Sequence, residues 1–245
     1  MSRKMRMAMK RRAESALVVA VLLMGRAAFA QEPNMPATGP AGSGQSELSG
    51  IELGVRVGYG LPLGNAYGVA GLPNAKLSDL IGGMIPFWAD VGYRIDPNWY
   101  VGGFFQFSIG LVPSSLCSGI GCSENELRFG LNVHYHFLPA GTFDPWVGIG
   151  AGYEILNISA SNLGVSVSGV SASTNGWEFG NAQLGLDYKF SPEFGVGPFV
   201  TFTVAQFANA SASVQGISVS QSIANKTIHE WLIFGLRGVF DLTLD

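Results

Sequence analysis

The stretch Trp99-Tyr100-Val101-Gly102-Gly103-Phe104-Phe105-Gln106-Phe107-Ser108-Ile109-Gly110-Leu111 separates into two rows when read two residues at a time. Trp99, Val101, Gly103, Phe105, Phe107, Ile109 and Leu111 form an almost wholly apolar row. Tyr100, Gly102, Phe104, Gln106, Ser108 and Gly110 form a smaller, more polar one. A period of two places successive side chains on opposite faces of a strand. One face of this strand is therefore greasy and the other is not.

The same pattern recurs across the chain. It predicts eight strands, near 51–61, 84–95, 99–111, 125–137, 146–156, 177–190, 195–207 and 227–242. Asp96-Pro97-Asn98, Ser191-Pro192-Glu193 and the stretch 138–145 read as tight turns, with proline where its fixed φ suits a turn. Four longer loops are expected at 62–83, 112–124, 157–176 and 208–226. Long and short connections alternate strictly, so all short turns lie at one end. That is the signature of an up-and-down transmembrane β-barrel, with the short turns and both termini on the periplasmic side. Two loop segments, Gly164-Val165-Ser166-Val167-Ser168-Gly169 and Gly216-Ile217-Ser218-Val219-Ser220, are alike. Their alternation of β-branched residues with serine is expected to extend the hairpins. The Asn-x-Ser/Thr triplets at Asn157, Asn209 and Asn225 are read as products of serine-rich composition.

Polarity decides which face meets lipid. Ile51, Leu53, Val55, Val57, Tyr59 and Leu61 alternate with Glu52, Gly54, Arg56, Gly58 and Gly60. Leu127 to Phe137 alternate in the same way with Glu126, Arg128, Gly130, Asn132, His134 and His136. A soluble barrel would place its charges outside. Here isolated opposite charges sit among glycines, which suits a narrow interior. The expected lumen charges are Glu52, Arg56, Asp90, Arg94, Glu126, Arg128, Glu154, Asp187, Lys189, Arg237 and Asp241. On a lipid face each base would cost about 2–4 kcal/mol at the midplane. Phe104, Phe179 and Phe199 are expected in the same inner row. Tyr93, Trp99, Tyr135, Phe137, Trp146, Tyr188, Phe190, Tyr59, Trp177, Phe207 and Trp231 fall near strand ends, where interfacial girdles are expected.

The N-terminus carries Arg3, Lys4, Arg6, Lys10, Arg11 and Arg12, then an apolar run from Ala16 to Met24, then Ala28-Phe29-Ala30. This is the plan of a secretory signal peptide over residues 1–30. Residues 31–50, rich in Pro, Gly and Ser, form a flexible periplasmic linker, and residues 51–245 form the barrel. Removing the leader leaves seven basic against sixteen acidic groups, a net of −9, which argues against nucleic acid or another polyanion as partner. Charged residues make up 13% of the whole chain, against about 25% in soluble domains.

The leader, the linker, the eight strands rich in glycine and aromatics, and phrases such as Gly148-Ile149-Gly150-Ala151-Gly152-Tyr153 resemble the small outer-membrane β-barrel proteins of the OmpA/OmpX/OmpW type. The resemblance implies an all-β, eight-stranded antiparallel barrel in the bacterial outer membrane. Outer-membrane lipid and lipopolysaccharide would surround it, and the outer-membrane assembly machinery would insert it. Such barrels usually end in an aromatic residue, whereas this chain ends Phe240-Asp241-Leu242-Thr243-Leu244-Asp245. The resemblance is to the barrel alone, so the peptidoglycan-binding function of the longer OmpA proteins is not expected to carry over.

Cys117 and Cys122 are the only cysteines, and in an exported chain a local disulfide is expected of them. No cofactor or metal site is expected. The expected role is non-enzymatic, with loops presented at the surface for structural, adhesive or interaction purposes. A narrow porin for small or hydrophobic solutes is the alternative. A lipid-modifying enzyme would need a hydroxyl nucleophile beside a histidine held by a carboxylate. Thr227, His229 and Glu230 are the compact group of those types, and Glu230 points away from the other two.

Overall fold

The computed structural model describes residues 50–68, 73–113, 121–161, 170–214 and 217–243. The expected leader, most of the linker, Cys117 and the segment 164–169 lie outside them. The strands are β1 (Gly50–Tyr67), β2 (Ala75–Lys76), β3 (Gly83–Arg94), β4 (Trp99–Leu111), β5 (Gly121–His136), β6 (Phe143–Ser161), β7 (Val170–Lys189), β8 (Phe194–Val214), β9 (Ile217–Ser222) and β10 (His229–Thr243). A single helical turn, α1 (Leu77–Leu80), follows β2.

Eight strands close a ring in the order β1-β3-β4-β5-β6-β7-β8-β10, and β10 pairs back onto β1; every pairing is antiparallel. The short strands β2 and β9 only lengthen hairpins, on β1 and β8. One row of paired residues runs Glu52, Gly92, Gly102, Asn132, Gly150, Asn181, Thr203, Trp231 and re-enters β1 at Pro62, ten residues above its start. That stagger tilts the strands and leaves an interior just wide enough for side chains. Glycine makes the space: a Cβ at Gly185 would lie 2.6 Å from the Trp146 ring, and one at Gly102 2.1 Å from the Tyr100 hydroxyl.

The tight turns have local causes. Oδ1 of Asp96 accepts from the backbone N–H groups of Asn98 and Trp99, both at 2.8 Å, and so closes the β3–β4 turn. The loop side departs from the expected boundaries. β1 continues through Pro62 to Tyr67, β6 and β7 zip up past the expected loop start at 157, and Ile217–Ser222 forms β9. β-branched residues such as Ile158, Val170, Ile217 and Val219 favour pairing there, and the small residues between them pair because the opposite hairpin arm is in register.

The outer surface is apolar. Val55, Val91, Phe105, Leu131, Ile149, Leu184 and Leu236 are all exposed on it. Aromatic rings band it at both ends: Trp99 lies edge-on to Tyr135 at 5.0 Å, and Tyr153 meets Trp177 at 5.2 Å. Three expected girdle residues are instead inside. Trp146, Phe207 and Trp231 are at most 1% exposed because their strand parity turns them into the lumen.

Phe179 is a second correction, since it faces outward rather than lining the lumen. The register of β7 against both neighbours shifts at this point. A bulge adds one unpaired residue and so exchanges the two faces of the strand. Asp187, Gln183 and Asn181 point in below the bulge, and Glu178 points in above it. A nitroxide attached at Phe179→Cys, with both native cysteines replaced by serine, is expected to relax faster with lipid-soluble oxygen than with a polar nickel chelate. The reverse order would place residue 179 in the lumen.

Candidate functional site

The lumen is filled by layers of charge and aromatic rings. All eleven expected lumen charges point into it; ten are buried, and the Lys189 side chain is 8% exposed.

Toward the short turns, Glu52 is the node. It accepts from Arg94, and its Oε1 accepts from Arg237 at 2.5 Å. Arg237 also donates to Asp187 at 2.5 Å. Asp241 lies 3.5 Å from Arg94 and 3.8 Å from Lys189. Asp144, expected in a turn, is fully buried at the start of β6, 2.8 Å from His136 Nδ1. Above this node, Arg56 donates to Asp90 and to Gln183, both at 2.7 Å. Its guanidinium stacks 4.7 Å from the Trp88 ring and 5.3 Å from Trp146, while Arg237 lies 4.8 Å from Trp146.

The second charge cluster lies toward the loops. Arg128 is 3.0 Å from Glu178, 3.6 Å from Glu154 and 3.9 Å from Glu126, and it donates to Thr203 at 2.9 Å. His229 Nε2 is 2.6 Å from Glu154. Gln183 donates to Asn181 at 2.7 Å, and Asn181 donates to Glu178, so a polar row along β7 joins the two clusters across the bulge. Glu178 escaped the sequence reading because alternation counted back from Asp187 places it outside. A charge landing on a lipid face was the available sign of the bulge.

Over the second cluster the mouth turns apolar. Leu77 and Ile81, from α1 and the residue after it, are fully buried with Ala66, Leu156, Phe207 and Trp231. A cavity of about 30 Å³ remains there, lined by residues including Leu80, Leu156, Ile158, Ala172 and Phe207.

Glu52, His134 and His136 bring one potential metal ligand each within 4.8 Å of the others. Both carboxylate oxygens of Glu52 already accept from guanidinium groups. Two positive charges beside the ligand set oppose a further cation, and His134 is stacked on Tyr100 at 4.8 Å. The arrangement suits a salt-bridge node better than a metal centre.

The candidate catalytic group does not converge. The Thr227 hydroxyl donates to the Asn65 carbonyl at 2.7 Å. His229 takes Glu154 rather than Glu230 as its carboxylate, and no hydroxyl is hydrogen-bonded to its ring among the described residues.

No family model matches the chain, and no curated protein does. Among solved structures, it is similar to the outer membrane protein AlkL determined in DMPC bilayers, at 20% identity over 88% of this chain and 99% of that one, with a TM-score of 0.46. OprG from Pseudomonas aeruginosa aligns at 15% identity over 79% and 97%, with a TM-score of 0.47. Neisserial surface protein A aligns at 11% identity over 80% and 97%, with a TM-score of 0.45. The closed ring of eight strands, the apolar belt and the sequestered charges by themselves make this chain an integral transmembrane β-barrel protein.

Proposed function

We propose that the barrel is a non-enzymatic, closed platform that works through its loop side, in a structural, adhesive or interaction role. The cross-lumen layer carries this reading: Arg237 bridges Glu52 and Asp187, and Arg56 lies over Trp88 and Trp146. An ion entering that layer would have to break charge-assisted bonds held in a low-dielectric site. Outer-membrane lipid surrounds the platform, and the assembly machinery inserts it.

The purified protein, folded into planar bilayers, is expected to give no discrete conductance steps. Regular steps would overturn the closed-lumen reading.

The apolar mouth favours a second reading, a narrow route or resting place for small hydrophobic solutes. Uptake of an apolar probe by proteoliposomes, in the absence of ion conductance, would favour it over the platform.

A further inference from the structure

Above the membrane belt the two faces of the wall exchange character. From β5 to β9 the strands continue past the barrel rim as one sheet. Its lumen-side face carries Ile158, Ala172, Ala212, Val214, Ile217 and Val219, which continue the apolar mouth. Its outer face, contiguous with the lipid-facing surface below, carries serine and asparagine across all five strands in two successive rows.

Those rows are in register. Ser123, Ser159, Ser171, Ser213 and Ser218 lie opposite one another across five strands. One row lower come Asn125, Asn157, Ser173, Ser211 and Ser220; the next row is apolar on β5 and β6, at Leu127 and Ile155, and polar on β7 to β9, at Asn175, Asn209 and Ser222. Directly beneath is the aromatic row Phe129, Tyr153 and Trp177, with Trp177 61% exposed. Side chains link the rows. Asn157 donates to Asn125 at 3.1 Å, Asn209 donates to Asn175 at 3.1 Å, and the Tyr153 hydroxyl donates to Asn175 at 2.7 Å. Polar groups therefore repeat about every 4.8 Å across the strands and about every 6.8 Å along them.

We propose that this Ser/Asn face, with the aromatic row at its foot, binds the saccharide part of an outer-leaflet glycolipid. The proposal rests on the outer-membrane reading. Continuity with the lipid-facing belt sets the face at headgroup level, beside the membrane rather than in open solvent. Its chemistry then selects the part of the headgroup it meets. Hydroxyls and carboxamides both donate and accept, as neutral sugar hydroxyls do. Exposed rings below offer flat apolar surface to the C–H faces of a sugar. Phosphate recognition calls for arginine or lysine, and these rows hold neither among the described residues.

The full chain and the variant Asn157→Ala/Ser173→Ala/Ser211→Ala would each be folded into three kinds of vesicle. One contains phospholipid alone, one adds lipopolysaccharide carrying its core sugars, and one adds lipid A. The readout is the glycolipid that co-purifies after detergent extraction. The parent is expected to retain about tenfold more sugar-bearing glycolipid than the variant, while both hold lipid A equally weakly. Equal retention by parent and variant would overturn the proposal, as would retention that lipid A alone supports. The gel mobility of the unheated protein reports folding in the same samples. If the triple variant fails that check, Ser173→Ala/Ser211→Ala replaces it with the same expectation at smaller size. A parent that folds into none of the vesicles overturns the membrane reading itself.

Discussion

Arg237→Ala is expected to lower barrel stability by about 3–5 kcal/mol, because it leaves partnered buried charges without their counter-charge. Arg237 is fully buried, donates to Glu52 and Asp187 at 2.5 Å each, and packs 4.8 Å from the Trp146 ring. Its removal would strand the Asp187 carboxylate and leave Glu52 to Arg94. Unfolding by denaturant in lipid vesicles, followed by gel mobility, measures the effect. Adding Glu52→Gln and Asp187→Asn to the variant should recover a large part of the loss, since uncharged amides no longer need the guanidinium. A loss under about 1 kcal/mol, of the size seen for exposed pairs, would mean that water screens the site and the lumen is open. Lys189→Ala supplies the contrast. Its ammonium is 3.7 Å from Asp144 and 3.8 Å from Asp241 at the rim, so a smaller effect is expected.

Leu131→Arg tests the other face. Leu131 is 72% exposed in the middle of the outward row of β5, between Phe129 near the loop-side girdle and Tyr135 in the short-turn girdle. If that face is solvated by hydrocarbon, the substitution costs about 2–4 kcal/mol at the midplane. The same exposed change on a soluble barrel would fall within about 0.5 kcal/mol. Comparing Leu131→Arg with Leu131→Ala in vesicles separates the two, since alanine adds no charge to desolvate. Equal stability of the two variants would remove lipid from that face.

The two substitutions probe opposite sides of one rule, that charge is tolerated only inside. The rule was legible in the chain because period-two alternation is a local property. Glu52 and Arg56 alternate with Leu53, Val55 and Val57, so their common face can be read without knowing the partner strands. The turn at Asp96-Pro97-Asn98 was legible for the same reason, as its closing hydrogen bonds span two or three residues. The ends of the loop-side hairpins were less so. Serine, alanine and asparagine are weak strand formers, and their pairing is decided by the neighbouring hairpin as much as by the residues.

What the sequence by itself determined is the number of strands, the end at which the short turns gather, and the separation of apolar from charged faces. What only the tertiary structure decided is where that alternation breaks and who meets whom across the lumen. The bulge at Phe179 turned Glu178 inward and Phe179 outward, and a bulge exists only relative to the strands it is paired with. The partners of Glu52 lie 42 residues away at Arg94 and 185 away at Arg237. Closing the ring brings them together, and local periodicity contains no term for closure. The inversion above the rim has the same origin: a Ser-x-Ser stretch names two faces, but only the continuous wall says which of them stands beside the lipid.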